Sequence, residues 1–275
     1  MAKTRTASRR RRTPDPNALG RAFKRRLQGD DLLLGGTATE YLRPSLVKMY
    51  AHAGYDFIYV EKEHTLMEGP ELTDFLLSCR DNQMPVISKV GELNRSEVAR
   101  LLEAGVVVIQ LPRTESREQL DELHDYMTFP PGGSRAGAPG YGNADYIIPA
   151  NHRAWMRGAN EATLINVHIE TALGLENAEQ IVSCPHIDMV YVGPTDFSIE
   201  LGHPGDYDHP DVRKGMDHIL KLCLKHGVPF GTTPTNRKTA ARWVARGCRF
   251  FEMHTELDLV HEGPCRVVDE FGSLK

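Results

Sequence analysis

The stretch Val190-Tyr191-Val192-Gly193-Pro194-Thr195-Asp196-Phe197-Ser198 decides the fold. A β-branched and aromatic run, the composition of a strand, stops at Gly193-Pro194 and delivers a carboxylate, Asp196, two residues later. Ile165–Thr171 does the same earlier in the chain, with Glu170 at the end of an apolar strand pattern. Two strands that each end in an acid, one helix-sized segment apart, predict a metal site on one rim of a parallel barrel.

Outward from that pair the unit repeats. Strand patterns lie at Leu32–Thr39 (breaking at Gly35-Gly36), Phe57–Val60, Pro85–Val90, Val106–Leu111, Leu164–Ile169, Met189–Val192, Phe230–Thr233 and Arg249–His254. Helical spacing fills Ser45–Ala53, Pro70–Arg80, Ser96–Ala104, Ser116–Met127, Asp211–His226 and Arg237–Arg246. Helix, glycine and strand follow one another at Gly54, Gly105, Gly227 and Gly247, the order of a tight turn that needs a positive φ. Pro130–Gly137 and the glycines after it read as loop. Eight strand patterns alternating with helices predict an α/β fold, a closed (β/α)₈ TIM barrel. The competitor, an open doubly wound sheet, predicts a phosphate-binding glycine loop after the first strand, and Gly35-Gly36 lacks its spacing.

Length and composition agree with one domain. The 275 residues are 40% hydrophobic and 25% charged, and a barrel of this kind commonly runs to about 250 residues. No apolar run approaches the roughly 18 residues of a membrane span. Five cysteines without a CxxC pair predict reduced thiols and a cytoplasmic protein. Met1–Arg26 carries ten of the 33 Lys/Arg and one (Asp15) of the 37 acids, leaving 23 basic against 36 acidic residues and a body of net −13. The expected division is a basic leader over 1–28, partly disordered and ending in a helix near Asn17–Gln28, and a single barrel with a C-terminal helix over 29–275. Arg9–Arg12 invites a nucleic-acid or transit-peptide reading, but the acidic body argues against a nucleic-acid substrate.

Polar residues collect where the strands end: Glu61, Glu63 and His64; Ser88 and Lys89; Arg113; Glu170; Asp196; Thr232 and Thr233; His254. Solvated loop residues explain any one of these. Acids on consecutive strands together with a histidine favour a site, because barrel enzymes work at the carboxyl ends of their strands. Glu170 and Asp196 offer oxygen-only ligation, which suits Mg²⁺ first, with Mn²⁺ or Co²⁺ as alternatives. His168 shares a strand face with Glu170 and is either a third ligand or a residue supporting the ligands; we favour support. His64 follows two acids, and a carboxylate-oriented histidine transfers protons near neutrality. Glu103 ends a helix and reaches a site only if a neighbouring subunit brings it there.

These motifs resemble the HpcH/HpaI aldolase/citrate-lyase family of metal-dependent pyruvate aldolases over about Leu32 to Val260. The resemblance is carried by Glu61-Lys62-Glu63-His64, Leu102-Glu103-Ala104-Gly105, Phe129–Gly133, Ile169-Glu170-Thr171 and Gly193–Ser198. It implies that Glu170 and Asp196 hold the ion that chelates a 2-oxo acid, that His64 is the base, and that Glu103 stands for a partnering Asp. It also implies a homo-oligomer, a hexamer or trimer. Glu61 and Glu103 replace family aspartates, His168 replaces a glutamine, and His254-Thr255-Glu256 replaces Gly-x-Asp. The family's arginine after strand three is Ser88 or Lys89 here, and Arg113 is the other cation within reach.

The expected function is therefore a metal-dependent carbon–carbon lyase that takes a 2-oxo acid and an aldehyde or other acceptor through an enolate. Glu61, His64, Lys89, Glu103 and Arg113 form the catalytic set, and Ser88, His168, Gly193, Pro194 and Thr195 bind substrate. Oxaloacetate-type decarboxylation with capture of the enolate, as in macrophomate synthase-like members, is the near alternative. A barrel that binds a carboxylate without turnover is the alternative of another class.

Overall fold

A computed structural model describes residues 15–274. The elements run α1 (Ala18–Leu27), β1 (Leu33–Ala38), α2 (Pro44–Ala53), β2 (Phe57–Val60), α3 (Gly69–Asp81), β3 (Val86–Lys89), α4 (Arg95–Glu103), β4 (Val108–Leu111), α5 (Arg117–Met127) and α6 (His152–Ala162). They continue with β5 (Leu164–His168), α7 (Ala172–Glu176), α8 (Ala178–Val182), β6 (Met189–Val192), α9 (Pro194–Glu200), α10 (Pro210–His226), β7 (Phe230–Thr232), α11 (Arg237–Val244), β8 (Cys248–Thr255) and α12 (Glu256–Phe271). Each strand pairs in parallel with the next and β8 returns to β1, so the sheet closes into the expected (β/α)₈ barrel.

Strand alternation divides the side chains between two layers. In β2, Phe57 and Tyr59 join the cluster inside the barrel while Ile58 and Val60 join the one under the helices. In β6, Met189 and Tyr191 point inward and Val190 and Val192 outward. The lower end of the barrel is filled by Phe57 and Phe250, ring centroids 6.4 Å apart, and closed by Phe23 and Leu27 of α1.

Strand one does not break at its glycines. A Cβ on Gly35 would stand 2.1 Å from the Phe57 ring, and one on Gly36 2.6 Å from the Tyr50 ring. Both glycines therefore make room for aromatic neighbours inside a continuous β1. Strand eight also runs on, to Thr255, and its register against β1 shifts between Gly35 and Thr37. Gly54 and Gly247 end helix-to-strand turns with φ of 92° and 102°, as their place in the sequence predicts.

The helix of the expected basic leader belongs to the barrel. Lys24 reaches Asp188 at 2.6 Å and Arg26 reaches Asp56 at 2.6 Å, so two of its cations are held against barrel acids. Arg9–Arg12 lies outside the described residues. Among the described residues no helix is long and apolar enough to cross a membrane.

Candidate active site

A cavity of about 330 Å³ opens at the carboxyl ends of the strands. Of the residues singled out in the sequence, Glu61, His64, Lys89, His168, Gly193, Pro194, Thr195, Asp196 and His254 line it, whereas Glu63 and Glu170 do not. Tyr59, Tyr191, Thr233 and Glu252 complete its deeper wall.

Lys89 is the buried cation of this cavity, 2% exposed. Its Nζ lies 2.5 Å from Glu63 and 3.2 Å from Glu61. Burial disfavours its charge, but Glu61, Glu170 and Glu63 together hold its ammonium above the usual lysine range. Burial likewise disfavours ionisation of Glu61, and Lys89, the Tyr59 hydroxyl and the Glu63 N–H outweigh it, so the carboxyl titrates below its ordinary value. His64 sits at the mouth, its side chain 60% exposed and its Nε2 3.6 Å from Glu63.

On β5 and the loop after it, His168 and Glu170 are 3% and 1% exposed. His168 Nε2 lies 3.0 Å from Glu170 Oε2 and 3.1 Å from the Gly193 nitrogen, whose N–H donates to it. One ring nitrogen cannot accept from Gly193 and donate to Glu170 at once. Either Nε2 carries a proton and donates to Glu170, or it accepts from Gly193 and its neighbouring lone pairs and those of Oε2 suit a cation beside them. The other oxygen of Glu170 accepts the N–H of Arg113 at 2.8 Å. Burial opposes the charge of Glu170, and His168, Lys89 and this N–H override it, holding the carboxyl at about 2.

Asp196 stands in the first turn of α9 and reaches the same cavity from β6. Among the described residues, the His/Asp/Glu trios whose ligand atoms lie within 4.8 Å of one another are Glu61/Glu63/His64 and His203/His209/Asp211. His168, Glu170 and Asp196 do not form such a trio, so Asp196 completes a site only after its carboxylate swings toward Glu170.

Three expected site residues lie elsewhere. Ser88 is fully buried on the helix-facing side of β3, between Val86 and Val90, because strand alternation turns Lys89 and not Ser88 into the barrel. Arg113 turns its guanidinium away to Glu200 at 3.0 Å and contributes its backbone N–H instead. Glu103 ends α4, at the amino-terminal side of the barrel, where burial raises its carboxyl pKa against the pull of Arg135. Within one chain it cannot touch the cavity.

Two acids escaped the sequence-based set. Glu256, 1% exposed, accepts the backbone N–H groups of Thr39, Glu40 and Tyr41 at 2.5–2.9 Å and so fixes the β1–α2 loop at the cavity edge. Glu252, on β8 inside the barrel, is 2% exposed and neither of its carboxyl oxygens has a hydrogen-bond partner. Burial raises its pKa well above the usual range, and Lys89 opposes that less than burial promotes it. An acid two residues beyond Phe250, on the inward face of the strand, was the available signal.

The family model for HpcH/HpaI aldolase/citrate lyase matches residues 40–262. The 5-keto-4-deoxy-D-glucarate aldolase of Shigella dysenteriae serotype 1 is 25% identical over 236 residues, covering 83% of this chain and 88% of its own. Among solved structures, an HpcH/HpaI aldolase of Desulfitobacterium hafniense DCB-2 superposes with a TM-score of 0.85 at 23% identity, over 90% of this chain and 95% of its own. A family protein of Burkholderia cenocepacia J2315 gives 0.83 at 26%, over 91% and 98%. The citrate lyase β subunit of M. tuberculosis, complexed with oxaloacetate and magnesium, gives 0.54 at 16%, over 82% and 92%.

Proposed function

The chain belongs to the HpcH/HpaI aldolase/citrate lyase family and is a lyase, and from that premise we propose that it makes or breaks a carbon–carbon bond of a 2-oxo acid at a divalent ion held by Glu170 and Asp196. The observation that carries the proposal is the 3.0 Å approach of His168 Nε2 to Glu170 Oε2. With Gly193 donating to that same nitrogen, the buried Oε2 has no donor other than His168 itself. Buried lone pairs that face each other fit a cation between them. Two carboxylates on neighbouring strands supply the hard oxygen donors that Mg²⁺ or Mn²⁺ prefers. The magnesium and oxaloacetate of the M. tuberculosis relative support the same choice of ion and substrate class.

Such an ion supplies positive charge beside the keto oxygen, where negative charge gathers as the carbon–carbon bond breaks. The remaining work falls to side chains. The Lys89 ammonium, fixed by Glu61 and Glu63, adds a second cation to the inner wall. His64 Nε2, at the mouth beside Glu63, takes the proton from the hydroxyl of an aldol substrate as cleavage begins. Gly193 holds the His168 ring, while Pro194 and Thr195 wall the site from α9.

The protein acts as a homo-oligomer in this proposal. The exposed apolar residues Leu257, Val260, Val267, Val268 and Phe271 of α12 support it, as does the distance of Glu103 from its own cavity. The test is Glu170→Gln, which keeps the side-chain shape and removes the charge. It is expected to abolish Mg²⁺ binding by calorimetry and Mg²⁺-dependent exchange of the methyl protons of pyruvate, with the melting transition preserved. Unchanged metal binding in this variant refutes the assigned site.

A further inference from the structure

Glu252 is an acid of the cavity that the chemistry above leaves without work. It stands on β8, the strand across the cavity from Lys89, and both of its carboxyl oxygens lack a partner although the residue is 98% buried. An acid retained for structure is paired, because an unpartnered buried polar group costs about 1–3 kcal/mol. Glu252 instead opens onto the cavity that holds Asp196, His168 and Lys89. We propose that Glu252 is a further catalytic residue, the acid that protonates the enolate carbon before the 2-oxo acid is released.

The assignment rests on the 2-oxo-acid lyase proposed above. Cleavage leaves the enolate of pyruvate in the cavity. Its carbon–carbon π pair forms a C–H bond to the carboxyl proton of Glu252, and the O–H bond breaks with its electrons left on the carboxylate. The products are pyruvate and ionised Glu252, which regains a proton from solvent through the cavity mouth. In the other direction the Glu252 carboxylate takes a methyl proton from pyruvate. The step needs no oxidant, reductant or further co-reactant.

Two groups thereby divide the proton traffic. His64 handles the acceptor's hydroxyl at the exposed mouth, and Glu252 handles the carbon in the dry interior, a separation that environment imposes on paired acids and bases. The groups facing Glu252 are Tyr59 and Glu61 from β2, Lys89 from β3, the Gln110 amide from β4, Glu170 after β5 and Tyr191 from β6. From β1, β7 and the segments that follow them, the cavity lining on either side of Glu252 comprises Thr37, Thr39, Thr233 and Thr235, none of which is charged. Burial keeps both tyrosine hydroxyls protonated, so Lys89 is the single cation among these neighbours and the carboxyl of Glu252 stays neutral to high pH.

The experiment follows exchange of the methyl protons of pyruvate in D₂O by NMR, with Mg²⁺, for the wild type, Glu170→Gln and Glu252→Gln. In the wild type, exchange rises with pH as Glu252 ionises. In Glu252→Gln it is expected to fall by about 100-fold or more and to lose that pH limb, with the pyruvate Kd changed by no more than about twofold, the signature of a proton-transfer group. If the wild type exchanges, Glu170→Gln does not, and Glu252→Gln matches the wild type in rate and pH profile, the Glu252 assignment is wrong and the metal-site proposal stands. If the wild type does not exchange at all, both fall. Should Glu252→Gln fail to fold by circular dichroism, Glu252→Asp withdraws the carboxyl by one methylene and is expected to slow exchange about tenfold while keeping a pH limb. Wild-type exchange in that variant overturns the assignment.

Discussion

Gly193→Ala tests the metal site without touching a ligand. Gly193 has φ −76° and ψ 116°, a conformation open to any residue, so alanine brings no backbone strain. Its Cβ, however, would stand 2.6 Å from His168 Nε2 and 3.1 Å from Cε1. Ordinary contact begins at 3.4 Å, so the ring must recede by about 0.8 Å. Tyr191 packs edge-on against that ring with centroids 4.8 Å apart, which leaves little room for a smaller adjustment. Nε2 then loses its 3.1 Å bond from Gly193 and its 3.0 Å alignment with Glu170. A residue that positions a ligand typically sets metal affinity by about 10–100-fold, and a 1 Å misplacement can cost about 10²-fold in rate. Calorimetric titration of chelator-stripped protein with MgCl₂ or MnCl₂ should show a loss of that size, and overpacking should lower stability by about 1–3 kcal/mol. In a His168→Ala background the added methyl meets no ring, so its further cost should fall to within about 0.5 kcal/mol. Wild-type affinity in Gly193→Ala, or the full loss persisting without the His168 ring, refutes the coupling of Gly193, His168 and the ion.

Two further substitutions test the charges around the cavity. Lys89→Met leaves Glu61 and Glu63 without their cation; the expected loss is about 3 kcal/mol by urea unfolding at pH 8, the lower end for breaking a buried pair, because both acids keep some solvent. The Glu61 carboxyl titrates below its ordinary value in the wild type, so its stabilisation is present above the unfolded pKa and is lost as pH falls through the folded one. The difference between Lys89→Met and wild type should therefore narrow toward pH 4, and a gap that widens on acidification contradicts the pairing. Glu256→Gln replaces the charged acceptor of three consecutive N–H groups and should cost about 2 kcal/mol, with faster amide exchange at Thr39–Tyr41 as the local readout. Protection left unchanged there means that Glu256 does not hold the loop.

Much of this architecture was legible in the sequence because two periodicities and one punctuation mark were enough. The Gly54, Gly105, Gly227 and Gly247 stops are positive-φ turns in the structure, with φ between 69° and 102°, and each sits where a helix hands over to a strand. Gly35-Gly36 carried the same letters and a different meaning. Their role is set by the rings of Phe57 and Tyr50, distant in sequence, and no local rule distinguishes room for a neighbour from the end of a strand. The sequence places one helix-sized segment between the fifth and sixth strands, where the structure has two five-residue helices, α7 and α8, that meet at Asn177.

At the site, position along a strand was readable and direction was not. Ser88 and Lys89 are adjacent, and a shift of one residue decides which faces the cavity. Arg113 was credited for its guanidinium, whereas its backbone, held at a φ of 45°, does the binding to Glu170. Glu252 carries no strand-end signature, because it lies inside the strand rather than at its polar tip. The register with β1 sets it opposite Gly35, one step inside the rim.

The aromatic floor described above has a kinetic corollary. With Phe23, Leu27, Phe57 and Phe250 sealing the lower end, the barrel is a blind well with a single doorway. A guest seated deepest must arrive first and depart last. In the proposed reaction the 2-oxo acid, its carboxylate drawn to the inner wall by the Lys89 ammonium, fills that innermost berth, and the acceptor stands between it and the exit. For the proposed reaction the expected outcome is ordered turnover, with the keto acid as the leading reactant in synthesis and the final product in cleavage.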